Sequence, residues 1–173
     1  ASDVYKRQHR EDAYGGSLEN RFRLIRRVLL AVRDACGPRF ALLVKVDNDS
    51  CDDLPALLRL FQSAGVDGIE LSGLDMARRD GQKTPFFLDR LLAAWEGLTV
   101  PIFPVGGVFS RAAAEKVLAA GAPFVSLSRA LICQPDFVER MEKGQTESPC
   151  LACNHCYNVY RQRPVRCVLP VSY

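Results

Sequence analysis

Apolar residues collect in four short runs along the chain: ALLVKVD (41–47), VDGIELS (66–72), VPIFPV (100–105) and PFVSLS (123–128). Each is rich in Val, Leu or Ile and largely apolar throughout, which predicts parallel strands covered on both faces. Between them apolar positions recur at helical steps. Leu18, Phe22, Ile25, Leu29 and Val32 form one stripe, opened by Ser17 as N-cap and stopped by Gly37-Pro38. Leu54, Leu57, Leu58 and Phe61 form a second, closed by Gly65; Phe87, Leu91, Leu92 and Trp95 form a third. Ala114, Val117 and Leu118 form a fourth, between Ser110 and Gly121. Alternating helices and strands predict an α/β protein, with four parallel strands over residues 41–128. The rhythm suits a doubly wound sheet or a (β/α)8 barrel. Because a whole barrel takes ~250 residues, four strands amount to half of one.

Composition narrows the class of partner. The chain has 173 residues, 48% of them hydrophobic, enough for one domain with a core. A net charge of +3, with Lys and Arg interspersed among Asp and Glu, gives no basic face and argues against a nucleic-acid partner. No apolar run reaches the ~20 residues of a membrane span, and no signal-peptide pattern opens the chain. Seven cysteines, an odd number not spread as a framework, argue for a reducing compartment, so a cytoplasmic location is expected. Open strand edges in a half-barrel would leave apolar surface exposed and invite association into an oligomer.

Three features carry candidate chemistry. Gly106-Gly107 follows a predicted strand and precedes a helix, where glycines let the backbone approach a ligand. Ser128-Arg129 stands at the end of the next strand, and in a barrel the loops after the last two strands converge on a phosphate. Lys45 interrupts a strand where an unpaired buried ammonium would be expensive. Two placements are open for it: inward, facing a polar ligand at a barrel mouth, or outward, paired with Asp47 or Asp49. Finally, Cys150, Cys153 and Cys156 form a C-x2-C-x2-C run, with Cys167 eleven positions on. Such crowding is typical of iron–sulfur ligands; a zinc site including His155, or a tail of free thiols, are the alternatives. Arg161, Arg163 and Arg166 would offset the charge of a cluster. Cys36, Cys51 and Cys133 stand apart and are expected to be ordinary packed residues.

Taken in order, REDAYGGSLENRFRLIRRVLLAVR, GIELSG, VPIFPVGGVFSRAAAEKVLAAGAPFVSLSRALICQPD and CLACNHC resemble the Old Yellow Enzyme-like NADH:flavin oxidoreductases. The resemblance is to the iron–sulfur subgroup that includes 2,4-dienoyl-CoA reductase and trimethylamine dehydrogenase. The signature from Asp12 to Arg21 carries most of it. The resemblance implies the C-terminal half of an FMN-binding (β/α)8 TIM barrel, strands five to eight, over residues 9–147. A cysteine-rich, cluster-binding segment would follow over residues 148–173. It further implies that Lys45 faces the flavin pyrimidine edge and that Gly106, Gly107, Ser128 and Arg129 hold the FMN phosphate. Cys150, Cys153, Cys156 and Cys167 would hold a [4Fe–4S] cluster, and NAD(P)H would be the reductant. The implied reaction is hydride transfer to an activated alkene such as an enoyl thioester or enone, with catalytic residues in an N-terminal half that this sequence lacks. Two other readings stay open: a flavin-free phosphate-binding isomerase or lyase, and a metal- or cluster-binding module without catalysis. Residues 1–8 read as a non-native leader and the chain as a fragment, inactive by itself; in relatives a nucleotide-binding module follows the cysteines.

Overall fold

The structure, a computed structural model, describes residues 10–48, 53–73, 81–158 and 165–169. The leader, His9, Asp49, Cys51, Arg161 and Arg163 lie outside them. The chain divides into two compact units, one of residues 1–74 and 89–103, the other of residues 75–88 and 104–173. Among the described residues no helix is long and apolar enough to cross a membrane.

In the first unit, α1 (Leu18–Cys36) and α2 (Leu54–Ser63) pack together through the faces their stripes predict. Phe22 and Phe61 meet edge to face at 4.9 Å, and Leu29, Leu57 and Leu58 are buried beside them in sequence register. Ser17 caps α1 by accepting the Asn20 N–H at 3.3 Å, and Gly37, at φ 81°, ends it. Asp53 caps α2 in the same way, accepting the Ala56 N–H at 3.0 Å.

The residues before α1 form a tight turn. Asp12 accepts the Tyr14 N–H at 3.0 Å, Gly15 donates to the Asp12 carbonyl at 2.9 Å, and Arg23 reaches back to the Ala13 carbonyl at 2.7 Å. A Cβ at Gly15 would fall 1.8 Å from the Arg10 carbonyl oxygen, so only glycine fits. The Asp12–Arg21 signature thus builds the start of a helix.

Strands β1 (Leu43–Asp47), β2 (Gly68–Ser72) and β3 (Ile102–Pro104) form one sheet in the order β1-β2-β3. β1 and β2 run parallel, with Lys45 opposite Glu70. One face is buried: Val46, Ile69, Leu71 and Ile102 are each at most 1% exposed. The other is open in the described residues, since Leu43 is 59% exposed and Lys45 is also exposed. The expectation of strands covered on both faces is therefore corrected. The fourth predicted strand is also corrected: residues 123–128 contribute a single parallel bridge, Val105 to Ser126. Its only neighbour in sequence order, β3, is three residues long, which leaves little ladder to pair with.

α3 (Leu88–Ala94) follows β2 and buries Leu91. In the second unit, α4 (Arg111–Ala119) starts at Ser110, which accepts the Ala113 N–H at 3.1 Å, and buries Val117. Short helices α5 (Arg129–Cys133), α6 (Phe137–Glu142) and α7 (His155–Asn158) complete it.

The N-terminal ends of β1 and β2 are tied by one side chain. Arg33 donates to the carbonyls of Phe40 (2.5 Å) and Gly65 (3.0 Å) and pairs with Asp67 at 2.6 Å. The Leu42 N–H and Arg33 together hold the Asp67 carboxyl below its usual range. Arg33→Ala is expected to cost about 1–3 kcal/mol in urea unfolding at pH 7. Because the folded pKa of Asp67 is depressed, its contribution is complete above the ordinary value of about 4. It is lost as pH falls through the folded value, so the gap between wild type and variant should narrow in acid.

Candidate functional site

The parallel bridge from Val105 to Ser126 sends two chain segments out of the same end of the sheet direction. Gly106-Gly107 follows the first and Ser128-Arg129 the second, so four of the predicted site residues are neighbours by topology. Both glycines have positive φ, 124° and 79°. The close approach they permit is made by the protein itself. A Cβ on Gly107 would lie 1.6 Å from the Thr84 carbonyl oxygen, and one on Gly106 would lie 2.4 Å from the Phe86 ring.

Arg129 opens α5 and is 3% exposed. Its guanidinium lies 5.0 Å from the centre of the Phe109 ring. Nη1 donates to the Ala152 carbonyl (3.3 Å) and to Asn154 Oδ1 (2.5 Å). Nη2 is buried without a hydrogen-bond partner, and no carboxylate pairs with Arg129 among the described residues. A buried cation bonded only on one side has one hand free for an anion.

That arginine also organises the cysteine loop. Ala152 and Asn154 flank Cys153 in left-handed backbone, φ 56° and 57°. Asparagine tolerates this region; alanine is strained there by about 1–2 kcal/mol. Three bonds hold Ala152 in place. Its carbonyl accepts from Arg129 (3.3 Å) and from the Gly81 N–H (3.1 Å), and its own N–H donates to Cys150 Sγ at 3.4 Å. Backbone strain of this kind persists only where surroundings enforce it.

Cys150 and Cys156 are buried, Cys153 and Cys167 partly so, and all four are free thiols. Burial raises the Cys150 thiol pKa, against opposing help from the Ala152 N–H and Arg129. Among the described residues no three Cys, His, Asp or Glu side chains are already arranged to hold a metal ion.

Cys133 is a packed core residue, as the sequence predicts. It is buried among Phe109, Ala130, Phe137, Cys150 and Ala152, with Cys167 packed on the same cluster. Burial pushes its thiol pKa up to about 12, and the neighbouring Cys167 and Cys150 thiols add to the shift. It lies four residues after Arg129, a spacing that puts both on one helix face, so the sequence held a signal for it. The expectation for Cys36 is corrected, since it is exposed.

Lys45 belongs to the first unit. It pairs with Glu70 across the open sheet face, not with Asp47. Asn48, just past β1, was not singled out by sequence. It is 1% exposed, and its backbone is held by the Ser72 carbonyl (2.7 Å) and the Arg90 guanidinium (2.9 Å). Its side-chain Oδ1 and Nδ2 are both buried without partners, at the strand end where barrels bind ligands.

Helices alternating with a small parallel sheet make this an α/β protein. The model of the NADH:flavin oxidoreductase / NADH oxidase family matches residues 5–148, and the chain belongs to that family. It is similar to the metal reductase of Desulforamulus reducens, 25% identical over 92% of this chain and 26% of the relative. In fold it is similar to 6-hydroxypseudooxynicotine amine oxidase from Pseudomonas geniculata N1. That match has TM-score 0.77 and 22% identity, over 94% of this chain and 27% of that one. It is also similar to the old yellow enzyme homologue of Zymomonas mobilis, with TM-score 0.63 and 20% identity over 87% and 45% of the two chains. The chain spans about a quarter of the length of the curated relative.

Proposed function

We propose that this chain is the C-terminal half of the FMN-binding barrel of an NAD(P)H-dependent oxidoreductase acting on an activated alkene, followed by a cysteine-rich segment. The observation that carries the reading is the buried Nη2 of Arg129, which has no hydrogen-bond partner among the described residues. The residues fit a phosphate there: a cation already desolvated, held on its other edge, and unopposed by any carboxylate among the described residues. Bound flavin supplies hydride chemistry. Arg129 anchors the phosphate, and Gly106 and Gly107 supply the positive-φ turn after Val105. Lys45, steadied by Glu70, provides positive charge for the flavin pyrimidine edge, which favours the reduced state.

The cysteines are free thiols, Cys150 Sγ accepts a backbone N–H and a buried cation lies close by, but no three thiols among the described residues are arranged to hold a metal ion, so the donor set does not fit an iron–sulfur cluster as it stands. Such N–H and cationic contacts stabilise thiolate sulfur. Free thiols also suit a cytoplasmic, reducing location.

The test is FMN binding by the chain extended upstream to the length of its relatives, read by absorption near the flavin bands. A yellow protein is expected; a colourless one that binds inorganic phosphate would favour a flavin-free enzyme. Asn48 gives a second check. Asn48→Leu removes two unpartnered buried polar atoms and should stabilise the chain by about 1–3 kcal/mol, while weakening ligand binding at the strand end. Thermal unfolding and FMN titration read the two effects separately.

A further inference from the structure

The two terminal nitrogens of Arg129 are used differently. Nη1 donates to the Ala152 carbonyl at 3.3 Å and to Asn154 Oδ1 at 2.5 Å. Those residues flank Cys153 in left-handed backbone, and the Ala152 N–H goes on to Cys150 Sγ at 3.4 Å. The Ala152 carbonyl also accepts the Gly81 N–H at 3.1 Å. Nη2 lies on the same rigid plane as Nη1 and is buried without a hydrogen-bond partner among the described residues. An unsatisfied buried donor and a strained alanine both favour a local opening in which the arginine turns to water and releases the loop. An anion on Nη2 removes the first of these incentives and fixes the plane that carries Nη1.

We propose that anion binding at Arg129 latches the cysteine loop shut, so that an occupied site shields Cys150 and Cys156 and an open loop weakens the site. The proposal deepens the anion reading of Arg129 above and rests on it; it requires no metal. The two effects are one coupling free energy seen from either side. Where only the closed loop binds the anion, opening is suppressed by about 10-fold at roughly nine times the Kd.

The experiment uses the full chain with inorganic phosphate as the probe, at constant pH and ionic strength. Calorimetry gives the phosphate Kd, and iodoacetamide labelling read by peptide mass spectrometry gives the rate at each cysteine. Cys150 and Cys156 are buried, so their labelling reports opening. Cys36 is exposed at the end of α1 in the other unit and serves as the control. Cys150 and Cys156 are expected to label about 10-fold more slowly at roughly nine times the Kd, with Cys36 unchanged. Asn154→Gly keeps the left-handed turn but removes one acceptor of Nη1, so both cysteines should label faster than in wild type. Phosphate binding with no slowing at Cys150 and Cys156 would overturn the coupling and leave the anion site standing. Equal slowing at Cys36 would mark a general salt effect, and wild-type rates in Asn154→Gly would remove the Nη1 bonds from the latch; either overturns it. If wild type binds no phosphate, the anion reading fails and this proposal with it.

Discussion

Arg129→Ala in the extended protein is expected to weaken FMN binding by about 10- to 150-fold, the equivalent of roughly 1.5–3 kcal/mol for a lost charge-assisted hydrogen bond. The estimate is for Nη2 alone, the nitrogen that is buried and unpartnered. Truncation also releases the Ala152 carbonyl and Asn154 Oδ1, so the strained turn beside Cys153 loses part of what holds it. The two effects separate in Arg129→Lys. An ammonium keeps the charge but lacks the planar fork that serves the loop with one nitrogen and the anion with another. Lysine should therefore recover part of the phosphate affinity without restoring the loop. Fluorescence titration with FMN, set beside proteolysis of the cysteine loop, reads both. Flavin retention equal to wild type in Arg129→Ala would remove the arginine from the phosphate site.

Gly107→Ala is expected to be the most damaging single methyl in the second unit, costing more than about 3 kcal/mol. The added Cβ would stand 1.6 Å from a backbone carbonyl oxygen, that of Thr84, and a backbone cannot rotate aside as a side chain does. Its φ of 79° adds the ordinary penalty for a left-handed non-glycine residue. Gly106→Ala meets the Phe86 ring edge at 2.4 Å, a side chain able to yield, so its cost should be smaller. Gly144→Ala is the control. Its φ is 104° but nothing lies within 4 Å of the new atom, which isolates conformational strain from collision. Urea midpoints should fall in the order Gly144→Ala, Gly106→Ala, Gly107→Ala, from mildest to worst. A Gly107→Ala midpoint no lower than that of Gly144→Ala would show that the Thr84 segment moves freely.

Helices were legible because their signals are local. The stripe from Leu18 to Val32 and the Ser17 and Gly37 boundaries reappear as α1, and the Ser110 cap reappears at α4. Strand extent was less so, since a strand is as long as its neighbour allows. The run at 123–128 has the composition of a strand, yet among the described residues it pairs only at Ser126. Lys45 illustrates the same limit: its charge was visible, but its partner Glu70 is 25 residues away and was fixed by register. Cys133 was read rightly as packed, but its distance along the chain from Cys150 and Cys167 concealed that it packs beside them. Asn48 gave no signal at all, since an unpartnered amide is a property of surroundings rather than of residue type.

The turn before α1 bears on how lineages can be sorted. The hydrogen bonds of Asp12, the Gly15 contact with Arg10 and the Ser17 cap serve the helix, whatever the barrel holds. A relative that takes a different ligand would keep them, because losing them costs the fold. On the proposed reading Arg129 is under the opposite pressure: a buried cation with an idle nitrogen is a burden wherever no anion meets it. Ancestry is therefore written at one end of the chain and present chemistry at the other. Relatives grouped by residue 129, rather than by the signature, should divide into those that purify yellow and those that do not.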